Sequence, residues 1–137
     1  MADSGPIPVN NEQVLQWKSS TPNQYRNRGH VAGTLVRVYQ TRDRDHDHME
    51  VQIGSQSTDT IEVIYNDHFG VPHNLAAGDQ VEACGDYKTS NAPSGHYQPS
   101  PDGAIVHWVH EATHGHHPSG YLVINGILYG QGNHFRH

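Results

Sequence analysis

A single cysteine, Cys84, leaves this chain of 137 residues without an intramolecular disulfide and without a thiolate-based zinc site. Cations are scarce as well. Lys and Arg number 8 against 14 Asp and Glu, a net charge of −6 with histidine neutral. Tight sequence-independent binding of nucleic acid needs clustered Lys and Arg to release counterions, so this balance argues against it at neutral pH. No apolar run approaches the about 20 residues that span a bilayer, so no membrane span is expected. The start lacks a charged segment followed by an apolar one, the mark of a signal peptide, although Met1-Ala2-Asp3 can stand where one was removed. A Gly-rich phosphate loop and a Ser nucleophile elbow are both missing. The length fits a single domain over 1–137, with 1–10 and 131–137 as flexible tails.

Histidine is what the chain has in excess. Five of its 13 histidines fall within residues 107–121. Neutral imidazole is the commonest protein metal ligand and titrates near neutrality, so the stretch offers metal binding, acid–base chemistry, or both. Protonating all 13 turns −6 into +7, which makes the charge strongly pH-dependent near pH 6. Residues 104–109 are short and largely apolar, with β-branched Ile105, Val106 and Val109, and predict a strand. Gly115, Pro118 and Gly120 then break regular structure. Alternate strand residues face opposite sides, so His107 and His110 converge only if the strand ends or bulges near Val109. The competing reading is a solvated histidine-rich loop.

The remaining pattern predicts an all-β protein. A short helix is expected over 11–18, with Asn11 as its cap and Val14, Leu15 and Trp17 as its buried side. Strands follow at 30–40, at 49–53, where Met49, Val51 and Ile53 alternate with polar residues, at 60–65, at 80–87 and at 104–110. Gly33 permits a bend in the first. Arg26 and Arg28 are read as part of a solvated connection. Asn125-Gly126, within the apolar run 121–129, supplies the two positive-φ residues of a type I′ hairpin turn. Five strands with a long link between the third and fourth match a small OB-like Greek-key barrel, with the C-terminal hairpin as an addition.

Val106, His107, Trp108, His110, Gly115, His117, Gly120 and Tyr121 form a run, HWxH followed by GxHxxG and an aromatic, that resembles a family of small, mostly exported bacterial proteins classed as a domain of unknown function. His46 ahead of Met49, Val51 and Ile53, Asn66 after the third strand, Gly78-Asp79, and Gly85 with Tyr87 extend the similarity over 31–129. The resemblance implies a periplasmic or secreted protein with its site at these histidines. The family has His-Asp where this chain has Glu111-Ala112, and its loop is shorter than residues 91–101.

His46, His107, His110 and His117 are the expected ligands of a divalent transition metal of the zinc type, with His107 and at least two of the others in one coordination sphere. Three imidazoles with an open position would make the site catalytic, and four would make it structural. Glu111 is expected as the general base, a carboxylate ligand or the partner of a ligand, and Asn66 as the group that orients water or substrate, in a metal-dependent hydrolase acting on phosphodiesters. Two further readings stay open: a non-catalytic metal carrier or an oligonucleotide- or saccharide-binding module using Trp108 as a stacking platform, and a metal-free enzyme working by paired imidazoles. The acidic spacing of Asp43, Asp45, Asp47 and Glu50 also suits a calcium site, though His48 stands where the loop needs glycine.

Overall fold

A computed structural model describes residues 7–41, 43–112 and 117–131. One short helix precedes seven strands: α1 (Asn11–Ser20), β1 (Arg26–Val38), β2 (His46–Gln52), β3 (Thr60–Asn66), β4 (Gln80–Thr89), β5 (Ala104–His107), β6 (Tyr121–Ile124) and β7 (Ile127–Tyr129). β1 pairs antiparallel with both β2 and β4, β2 with β3, and β5 with β4, while β3 and β5 run parallel. This closes a five-stranded barrel of the OB-like kind, and β6 and β7 add the hairpin at its side. Among the described residues no helix is long and apolar enough to cross a membrane.

The long first strand serves two neighbours. Its N-terminal part pairs with β4 through Thr34, and from Thr34 onward it pairs with β2. The turnover point is Gly33, where a Cβ would stand 2.0 Å from the carbonyl oxygen of Gln52. Period-2 alternation then sorts side chains. Met49, Val51, Ile61, Val63, Tyr65 and Val106 point inward and are fully buried, which leaves His46, His48, Glu62, Ile64 and His107 on the outer register. Val14 of α1 is fully buried in the same core, and Trp17 packs on Tyr87 with ring centroids 5.1 Å apart. Burying one such valine stabilises by about 1.5–3 kcal/mol.

Two local expectations need correction. Asn11 is the first residue of the helix and not its cap; Asn10 holds the cap position without a side-chain cap bond. The Asn11 amide donates to the carbonyls of Ala32 and Ile53 and accepts from the Ala32 N–H, tying α1 to the place where β1 changes partners. Satisfying three backbone groups there outweighs one helix-end N–H. Arg28 is not part of a solvated connection. It lies in β1, pairs with Asp86 at 3.1 Å and donates to the Ser119 carbonyl. Of the expected tails, 1–6 and 132–137 lie outside the described residues, whereas Asn10 is bonded to His30 through its N–H and its side-chain oxygen.

The expected strand at 104–110 stops at His107, because Trp108 adopts φ +58°. β5 and β6 therefore occupy one edge of β4 in succession. His107 pairs with Asp86 and Tyr121 with Cys84, so Gly85 lies between the two pairings. A Cβ on Gly85 would come within 2.3 Å of the His107 carbonyl oxygen and 2.9 Å of Val109. The hairpin turn is as the sequence predicts, with Asn125 at φ +49° and Gly126 at φ +85°. Gly85→Ala should cost about 1–3 kcal/mol or more in urea unfolding, as overpacking does, with the clash concentrated where residue 108 leaves the sheet. An unchanged midpoint would mean that the junction is not tightly packed.

Candidate functional site

The outer face of β2, β3 and β5 carries the polar groups that alternation expels from the core. The β4–β5 connection folds over this face. Its two ends are joined by the Ser90 N–H donating to the Gly103 carbonyl, and Thr60 holds Asp102 at 2.7 Å. Ser100 donates to Glu62 at 2.7 Å. Beneath the loop lies a cleft of about 370 Å³ whose walls include Asp43, His48, Glu62, Lys88, Tyr97 and Ser100.

A chain of charged hydrogen bonds forms its floor. The two ring nitrogens of His48 lie 2.8 Å from Glu62 and 3.1 Å from Asp43. The bond to Glu62 raises the His48 pKa above its ordinary 6.5 against the opposing effect of burial, and Asp43 adds to the rise. Burial alone would raise the Asp43 carboxyl, yet the bonds from His48 and His46 hold it down to about 2. Glu62 is only 5% exposed, so its carboxylate depends on His48 and Ser100 for the bonds that water would otherwise make.

A second cavity of about 180 Å³ adjoins the first. It is lined by His46, Ile64, Asn66, His107, Trp108 and His110. The break at Trp108 is what lets His110 face the same space as His107. Burial, helped by Lys88, pushes His107 down to about 4, so its imidazole is neutral at pH 7. Burial also lowers His110, whose Nδ1 lies 2.8 Å from the Glu111 carbonyl and whose ring stacks on Phe69 at 4.0 Å.

Three of the four histidines expected as ligands, with Asn66, thus line one cavity. The fourth, His117, packs on Trp108 at 4.1 Å, with Nε2 2.8 Å from Asp86 and Nδ1 2.7 Å from the Pro118 carbonyl. Both of its ring nitrogens are occupied within the protein. Among the described residues no three His, Cys, Asp or Glu side chains are already grouped to hold one ion. His114, His116 and Gly115 lie outside the described residues. Glu111 contributes its backbone, with its N–H donating to the Gly130 carbonyl, and is not among the lining residues. Asn66 caps a 3-10 turn by accepting from the His68 N–H.

The four acids between residues 43 and 50 diverge. Asp43 serves His46 and His48, Asp45 faces His68 at 3.6 Å, and Glu50 pairs with Arg37 at 2.8 Å. Asp47 sits on the inward register opposite Tyr65, where burial and the neighbouring Asp67 raise its carboxyl to about 7. Strand parity therefore parts these acids, and they do not converge on a calcium ion.

Sequence reasoning missed the Asp43–His48–Glu62–Ser100 chain. The signal lay in two places: His46 and His48 are two apart on one strand, and Glu62 is a lone acid in an apolar strand. The chain matches no family model and no curated protein. The resemblance to a domain of unknown function therefore stands on its motif residues alone.

Three pH dependences follow. In an NMR titration His107 should stay neutral down to about pH 4, while His48 should hold its proton above the ordinary histidine value of 6.5. His48 therefore contributes stability that is present below about pH 6.5 and lost as pH climbs through its raised value; His107 does the reverse, losing stability as pH falls from 6.5 toward 4. Titration of both rings together near 6.5 would contradict these environments. For Asp47, burial and the neighbouring Asp67 raise the carboxyl, so its folded form favours the proton and stability is lost as pH rises. Asp47→Asn should accordingly raise Tm at pH 8 and change it little at pH 4.5. An equal shift at both values would show that the fold does not favour the protonated form of Asp47.

Proposed function

We propose that this protein is a binding module that holds a saccharide chain in the cleft on the outer face of β2 and β3. One observation carries the reading. The cleft lies where OB barrels take oligonucleotides and oligosaccharides, on the strand 2–3 face between the β1–β2 and β4–β5 connections.

The lining favours sugar over nucleic acid. Lys88 stands there against the carboxylates of Asp43 and Glu62, and the whole chain carries −6, so a phosphate backbone gains little. Sugar hydroxyls instead find carboxylate, imidazole and serine partners along the His48 chain, and Tyr97, 78% exposed, offers an aromatic face at the loop. A metal-dependent phosphodiesterase would need a bound ion to supply its nucleophile and cationic groups to hold its substrate, and the cleft is poor in the second.

An array of neutral linear oligosaccharides, followed by calorimetry on the best binder, tests this. Tyr97→Ala should weaken binding about tenfold, about 1.4 kcal/mol, with the fold intact because the side chain is exposed. No binding to any neutral oligosaccharide, or preferred binding of single-stranded DNA or RNA with steep salt dependence, would refute it.

A further inference from the structure

We propose that the smaller cavity is the subsite for the acetamido group of an N-acetylated sugar, held there while the rest of the saccharide lies in the adjoining cleft. This rests on the saccharide reading of the cleft and narrows it to one class of chain.

The two spaces share His46 and Ile64 among their lining residues, so one ligand can reach both. The smaller has about 180 Å³, room for about six waters. Sites that take a whole drug-sized ligand run to about 300–1,000 Å³, so this one suits a single part of a ligand.

The lining is neutral. Among the described residues it carries no carboxylate, lysine or arginine. Burial holds His107 down to about 4 and lowers His110 as well, so both imidazoles are uncharged at pH 7. A sulfate, phosphate or uronate group entering here would lose water and find no countercharge in the lining. An uncharged group with hydrogen-bonding atoms fits instead.

The hydrogen-bond inventory specifies that group. His110 Nδ1 lies 2.8 Å from the Glu111 carbonyl, which can only accept. Nδ1 therefore holds the ring proton, and Nε2 keeps its lone pair as an acceptor. Asn66 is the converse. Its Oδ1 accepts from the His68 N–H at 2.8 Å, while its Nδ2 has no partner among the described residues and retains its N–H donors. The His107 ring makes no hydrogen bond among the described residues either, and adds one donor and one acceptor. Ile64 and Trp108 supply apolar surface between these groups.

An acetamido group has the matching parts. Its carbonyl accepts from Asn66, its N–H donates to His110 Nε2, and its methyl rests on Ile64 and Trp108. A hydroxyl on the same sugar carbon is shorter and has no methyl. It leaves part of this inventory unpaired, which is how a hydrogen-bonding site rejects an analogue. The fold holds the groups in place beforehand. Ile64 and Asn66 continue the outer register of Glu62 on β3, and the left-handed turn at Trp108 brings His110 to the space that His107 faces. None of the hydrogen bonds named here has to break.

Calorimetry on the full chain compares two β-linked tetramers, chitotetraose, built of N-acetylglucosamine, and cellotetraose, built of glucose. Chitotetraose is expected to bind about tenfold or more tightly. Asn66→Asp keeps the oxygen that the His68 N–H uses and removes the donors, so it should abolish most of the preference. Tyr97→Ala should weaken both tetramers alike and leave the preference unchanged. If Asn66→Asp does not fold, nuclear Overhauser contacts of the acetyl methyls in the wild-type complex decide, and they are expected at Ile64 and Trp108. Equal affinity for the two tetramers, a preference that survives in Asn66→Asp, or acetyl methyls that contact Tyr97 and not Ile64 would overturn the proposal and leave the cleft reading standing. Failure of both tetramers to bind would also overturn it, and the cleft reading falls with it only when every neutral oligosaccharide on the array fails too.

Discussion

Two residue pairs, Glu62 with Ile105 and Val63 with Val106, join β3 to β5 in parallel and close the barrel. Nearly everything of interest outside the core depends on that seam. The same alignment turns Val63 and Val106 inward to full burial and holds Glu62 and Ile105 on the outer register. It sets the end of β5 beside Ile64 and the start of β2, so that a histidine at 46 and histidines at 107 and 110 share one cavity. It also makes the β4–β5 connection cross the outer face, where Ser100 reaches Glu62.

The chain takes on two costs to use this face. Trp108 adopts a left-handed backbone conformation, which disfavours a bulky side chain, and Glu62 carries a carboxylate into a nearly dry position. Each is offset locally. Gly85 and Gly120 clear the space through which the chain leaves the sheet at Trp108, with a Cβ on Gly120 reaching 2.5 Å from the Trp108 carbonyl oxygen. Glu62 receives His48 and Ser100. Polar groups so held keep their geometry, and pre-formed geometry lowers the ordering cost of binding a ligand.

Local physics explains what could be read from residues alone. Asn125-Gly126 specifies its turn because few residue pairs tolerate two positive φ values in succession. Met49, Val51 and Ile53 are legible because one buried face imposes period 2, and the same rule gives the parity of His46 and His48. The possible break near Val109 also followed from parity, since His107 and His110 could not otherwise converge. What could not be read were partnerships across long sequence separations. Asn11 looks like a cap until Ala32 of β1 and Ile53 just after β2 present their carbonyls to it, Arg28 looks solvated until Asp86 stands opposite, and Asp47 looks like its acidic neighbours until the strand turns it inward beside Asp67. His117 belongs to the histidine-rich stretch by spacing, yet Asp86 and the Pro118 carbonyl take both of its nitrogens.

The central claim is that a saccharide meets this protein on the outer face of β2, β3 and β5. Backbone amide chemical-shift mapping during titration with a bound oligosaccharide tests it most directly. The account predicts shifts confined to residues 43–48, 62–66 and 88–110, with the β6–β7 hairpin and residues 26–34 of β1 silent. Shifts concentrated on residues 26–34 or 121–129, with 43–48 and 88–101 unmoved, would contradict it.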